Sequence, residues 1–101
     1  MSPELQRQYA ARRQQVIAGL TGIPGLSLPE IAGAFYAFPS LEGLTDSADF
    51  ATRLLRETGV ALAPGSAFGE SGEGSLRFCF AVSEDTLHQA LSRFRSFMTA
   101  L

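Results

Sequence analysis

The sequence predicts an α+β two-layer domain, with helices on one face of a small, mainly antiparallel sheet. Three observations predict it: an order of helix, strands, helix, strands, helix; a last strand whose bulky residues fall on one side; and a final helix with a long apolar stripe. With 101 residues the chain forms one domain at most. At that size folding buries roughly 60% or more of the unfolded chain's surface, enough for a modest core.

From Glu4 to Leu20, the residues Leu5, Tyr9, Val16, Ile17 and Leu20 recur near helical spacing, with Gln6, Arg7, Arg12, Arg13 and Gln14 on the polar face. Gly19 and the cluster Thr21-Gly22-Ile23-Pro24-Gly25 are expected to stop this helix. A short strand fits Leu26 to Leu28. Gly33-Ala34-Phe35-Tyr36-Ala37-Phe38, aromatic and closed by Pro39, fits a strand whose two faces are both apolar. After a loop through Gly43, a second helix carries Ala48, Phe50, Ala51, Leu54 and Leu55, with Asp46 or Ser47 as N-cap and Gly59 beyond its end. Val60-Ala61-Leu62 reads as a brief strand leading into a turn at Pro64-Gly65. The segment Gly69 to Gly74 has the glycine content of a phosphate loop, but its two acids and lack of lysine favour a plain turn. The strand Leu76 to Val82 places Leu76, Phe78, Phe80 and Val82 on one face and Arg77, Cys79 and Ala81 on the other. Ser83 caps the last helix, with Glu84 and Asp85 in its first turn. Its stripe is Leu87, Ala90, Leu91, Phe94, Phe97, Met98 and Leu101, and Arg93 and Arg95 lie toward the end where the helix dipole favours cations.

Composition narrows the function. Hydrophobic residues make up 46%, charged residues 18%, and the net charge is −2, which is the balance of an ordinary globular protein. Eight arginines are dispersed among ten acids, so no basic stripe invites nucleic acid. No apolar run is long enough to span a bilayer and the N-terminus has no signal-peptide core, so a cytoplasmic location is expected. Cys79, the single cysteine, reads as a small core residue, and His88 as a solvated or half-buried structural position in a helix. One histidine and one cysteine at this spacing make no metal site.

Arg77 is the candidate binding residue. Every basic side chain here is an arginine, and the chain has no lysine. A guanidinium grips a carboxylate in two parallel bonds, whereas covalent chemistry through an imine requires a lysine amine. The chain can therefore bind an acid but cannot form a Schiff base. Helices are expected on the Leu76, Phe78 and Phe80 side, which leaves Arg77 on the opposite, uncovered face. An arginine there needs a partner: a surface acid such as Glu70 or Glu73, or the carboxylate of a ligand.

The series Tyr9-Ala10-Ala11-Arg12-Arg13, Gly33-Ala34-Phe35-Tyr36-Ala37-Phe38-Pro39, Val60-Ala61-Leu62-Ala63-Pro64-Gly65-Ser66-Ala67-Phe68-Gly69 and Leu76-Arg77-Phe78 resembles, in order and spacing, the C-terminal small domain of the class I/II pyridoxal-phosphate-dependent aminotransferases, the aspartate aminotransferase family of fold type I. The likeness covers nearly all of residues 1–101. Ile31, where a proline is common, and Gln14, where an acid is common, depart from the pattern without touching its chemistry. The resemblance implies that Arg77 binds the α-carboxylate of amino acid and 2-oxo acid substrates. It also implies that a large catalytic domain, outside this chain, brings the cofactor pyridoxal phosphate and its lysine, and that the parent protein is a homodimer. No catalytic or cofactor-binding residue is then expected within the chain, and no cofactor on it alone. Phe35 and the turn Ser66 to Phe68 would line the closing face, or serve packing alone. Two other functions compete: an aminotransferase-like sensor domain of a transcriptional regulator, and a non-enzymatic α+β module binding a partner protein or a small acid.

Overall fold

Alternation along one short strand organises the molecule. In the computed structural model, which describes residues 2–29, 31, 36–68 and 73–101, Leu76, Phe78 and Phe80 are buried while Arg77 is half-buried and Cys79 exposed. The elements are α1 (Pro3–Leu20), β1 (Leu26–Ser27), β2 (Tyr36–Ala37), β3 (Ser40–Leu41), α2 (Ser47–Thr58), β4 (Ala63–Pro64), a 3-10 turn (Gly65–Phe68), β5 (Leu76–Cys79) and α3 (Glu84–Thr99). The α+β class is as the sequence predicts. Among the described residues the pairings are antiparallel: β5 lies between β2 and β4, and β1 pairs with β3.

The core gathers Val16 and Leu20 of α1, Leu54 of α2, Leu76 and Phe78 of β5, and Leu87 and Phe94 of α3. Phe78 meets Phe94 edge to face, with ring centroids 6.3 Å apart. Local chemistry starts α2 and α3 at the caps the sequence indicates, and α1 at Ser2. Ser2, Asp46 and Ser83 accept the backbone N–H groups of Leu5, Asp49 and Thr86, three residues on, and so cap α1, α2 and α3. Gly59 closes α2 in the left-handed region at φ 78°, which costs a glycine little.

Several expectations are corrected. The strand placed at Val60–Leu62 forms instead at Ala63–Pro64, opposite Arg77 and Leu76. Val60 is buried and Leu62 partly buried by packing rather than by pairing. Pro64, assigned to a turn, has no N–H to give a ladder, and β4 tolerates it because it is an edge strand. Of the strand expected over Gly33–Phe38, Tyr36–Ala37 is seen, while Ala32–Phe35 lie outside the described residues. Of its described residues Ala37 is buried while Tyr36 and Phe38 are 41% and 43% exposed, so the described part packs on one face alone. The last strand ends at Cys79, the alternation of burial runs on through Phe80 and Ala81, and it breaks at Val82, which lies exposed rather than beside Phe80. Ser40–Leu41, read as loop, pairs with Leu26–Ser27.

The arginines of α3 also differ from expectation. Neither neutralises its own helix end, since the last turn of α3 holds no basic residue. Arg95 Nη1 instead donates to the carbonyls of Gly19 and Thr21 at the end of α1, each at 3.3 Å, and Arg93 Nη1 to Thr58 O at the end of α2. These carbonyls are left over by their own helices and carry the negative end of the helix dipole.

Gly19 does not stop α1; it lies inside the helix, where a Cβ would come within 2.9 Å of Leu91 Cδ1. The glycine thus sets how closely α1 approaches α3. Alanine gains about 1 kcal/mol of helix propensity but overpacks at a cost of about 1–3 kcal/mol, so Gly19→Ala should be neutral to destabilising. In a Leu91→Ala background the same change should stabilise. Urea unfolding of the four variants measures the coupling, and additivity within about 0.5 kcal/mol would show that the contact does not limit the packing.

Candidate functional site

Arg77 projects from the side of β5 opposite the helices, because Leu76 and Phe78 on either side of it are buried. The register places Tyr36 directly across from Cys79, so its ring lies diagonally next to Arg77 on the same face. The Arg77 guanidinium carbon sits 4.6 Å from the Tyr36 ring centroid. A guanidinium over an aromatic face gains a cation–π attraction, and the planar fork of donors that arginine carries is of the kind that matches a carboxylate. Phe38 and Cys79 extend this face and both are exposed, which corrects the reading of Cys79 as a core residue. His88 lies in α3 and is exposed, as expected.

The approach to Arg77 is fixed by the three residues before β5. Glu73 Oε1 accepts the Ser47 N–H at 2.6 Å, at the start of α2. Gly74 O accepts from Leu41 N at 2.8 Å and Ser75 O from Gly65 N at 2.8 Å, while Leu76 N donates to Pro39 O. Ser47 is fully buried, and its Oγ accepts the Ser66 N–H at 3.1 Å, which ties the 3-10 turn to the same point. Glu73, considered from sequence as a partner for Arg77, is therefore engaged with α2; Glu70 lies outside the described residues. Ser66 sits in the predicted turn, whereas Phe35 and the Phe68 side chain lie outside the described residues.

Comparison with known proteins decides the family. The family model for aminotransferase class I and II matches residues 2–94. The chain belongs to this family. It is similar to a probable N-acetyl-LL-diaminopimelate aminotransferase of Bacillus subtilis, 44% identical over 93% of this chain and 24% of the relative. It is also similar to an aspartate aminotransferase of Pyrococcus horikoshii, 38% identical over 89% of this chain and 23% of the relative. Among solved structures, an alanine aminotransferase from Pyrococcus furiosus superposes with a TM-score of 0.91 at 33% identity, over 97% of this chain and 25% of that one. The chain spans about a quarter of the length of the relatives it matches.

In this chain the contacts among Ser47, Glu73 and Ser66 are what sequence reasoning missed. Asp46 and Ser47 both stood as N-cap candidates, and the structure divides the work: Asp46 caps, while Ser47 binds across the fold. The Ser47 amide, then its hydroxyl, hold the Glu73 carboxyl below its ordinary pKa, helped by the Gly74 amide and opposed by slight desolvation and by Asp46. Because the folded pKa is depressed, Glu73 stabilises the fold fully above the ordinary glutamate pKa. That stabilisation is lost as pH falls through the lower folded value. Thermal unfolding across this acid range should show wild type losing its advantage over Glu73→Gln, with the two melting temperatures converging. A constant difference down to the lowest pH would contradict the assignment.

Proposed function

We propose that residues 1–101 are the C-terminal small domain of a pyridoxal-phosphate-dependent aminotransferase. The parent moves an amino group between an amino acid and a 2-oxo acid, and Arg77 binds the α-carboxylate that both substrates carry. The observation carrying this reading is the placement of Arg77: mid-strand, against the Tyr36 ring, on the face of β5 opposite the described helices. Family membership and the fourfold greater length of the relatives support a parent protein with further domains.

The residues of this chain do not fit covalent attachment of pyridoxal phosphate, because there is no lysine among them. The cofactor and the lysine that carries it therefore belong to the rest of the parent, which we take to be a homodimer. What this chain supplies is binding and orientation. Two parallel bonds from Arg77 fix the carboxylate and with it the rotation about the bond to Cα. Tyr36 restrains the guanidinium, so little side-chain freedom is left to lose on binding. The exposed rings of Tyr36 and Phe38 offer an apolar surface that excludes water once the parent's other domain closes on it.

Hydrogen bonds to charged groups are worth roughly 1.5–3 kcal/mol, so Arg77→Ala in the parent should lower kcat/KM on the order of 10- to 100-fold. The loss should be alike for monocarboxylic and dicarboxylic amino acids, and Arg77→Lys should recover only part of it. A loss confined to dicarboxylic substrates would move Arg77 to the distal carboxylate and overturn the proposal. The pure chain mixed with pyridoxal phosphate should show no transamination; turnover would remove the need for a second domain.

A further inference from the structure

Three residues, 73 to 75, collect bonds from α2, β3 and the 3-10 turn immediately before β5 begins. Among these bonds only those of Glu73 involve a titratable group. We infer that Glu73 is a positioning residue for Arg77: its carboxylate draws the Ser47 amide and hydroxyl toward it, and Ser47 Oγ in turn holds the Ser66 N–H. One ionised group thereby locks the Gly65–Phe68 turn and the start of β5 to α2. The inference rests on the proposed role of Arg77 for its bearing on substrate, but the lock is a property of this chain.

The geometry makes the coupling directional. Ser66 N–H donates to Ser47 Oγ at 3.1 Å, leaving the hydroxyl proton to turn toward Glu73, whose Oε1 already accepts the Ser47 N–H at 2.6 Å. Donors in series polarise one another, so a charged acceptor at the end strengthens every bond behind it. Ser47 is fully buried, so a Ser47 amide left without a partner would be costly, while Glu73 itself is exposed and its carboxylate stays open to titration. The charged neighbour acting on Glu73 is Asp46, the N-cap residue of α2. Asp46 is occupied with the Asp49 N–H, so it opposes the lock without replacing it. Gly65 N donates to Ser75 O and the register sets Ala63 opposite Arg77, so the turn and the arginine strand move as one unit.

Amide NMR spectra of the labelled chain, followed from neutral pH to about 3, test the lock. The Ser47 and Ser66 amide shifts should titrate together at one midpoint below the usual glutamate value, and both titrations should vanish in Glu73→Gln. In Ser47→Ala the residue 47 amide should still titrate while the Ser66 amide no longer does. A Ser66 amide that is silent in wild type, or that titrates unchanged in Ser47→Ala, overturns the relay. In the parent, Glu73→Gln should raise KM about threefold or more with kcat little changed. An unchanged KM where Arg77→Ala raises it overturns the positioning role of Glu73. An unchanged KM in both variants would instead bring down the reading of Arg77, while the NMR result would still decide the relay.

Discussion

The two-residue period of β5 is the constraint on which the rest depends. Leu76 and Phe78 are essentially inaccessible, and Phe80 continues the same buried side. A slip of one residue in the register would drive the Arg77 guanidinium into the space filled by Phe78 and bring Phe78 to the surface. An unpaired guanidinium in a core costs several kcal/mol, and the ring would be lost from its contact with Phe94 as well. The register is therefore strongly determined. Its consequences run outward: Tyr36 must face Cys79, Ala63 must face Arg77, and Pro64 must lie on an edge. The face that carries Arg77 is the remainder of a packing decision.

Helix docking follows a second rule. A chain with no lysine still has to satisfy helix C-termini that meet α3, and arginine is well suited because one fork reaches two carbonyls. Arg95 does this at Gly19 and Thr21. Close approach at Gly19 brings those carbonyls within reach, so the missing Cβ and the guanidinium act at the same junction. Arg12 and Arg13 likewise reach from α1 to the carbonyls of Val82 and Ile31. Much of the positive charge in this chain thus has structural employment, and Arg77 lies over the Tyr36 ring on the face of β5 opposite the described helices.

The three helices, and the N-caps of α2 and α3, are legible in the sequence because each signal is local. Asp46 and Gly59 bracket α2 within a few residues of the chain, and the stripe of α3 repeats long enough to show its period. The strands were less legible. Two residues, as in β3 and β4, carry no period, and Ser40–Leu41 has no marked β-propensity. Val60 and Leu62 suggested pairing but recorded burial. The face of Arg77 was legible because β5 and its flanks alternate clearly between large and small residues. The bond from Ser47 to Glu73 was not, because it joins positions 26 residues apart and one side of it is a backbone N–H, which every residue but proline possesses.

On the proposed reading, placing the carboxylate contact and the covalent chemistry on different domains couples occupancy to domain position. Arg77 is held by a paired central strand and by Tyr36, so it cannot reach far on its own to follow a ligand. A substrate bound elsewhere in the parent gains the Arg77 contact only when the whole small domain approaches. The contact then favours the closed arrangement by its own free energy, about 1.5–3 kcal/mol for bonds to a charged group, and an empty site forfeits that bias. A flexible loop arginine could make the same bonds without moving a domain. Rigidity at β5 is what converts recognition of a carboxylate into closure and exclusion of water.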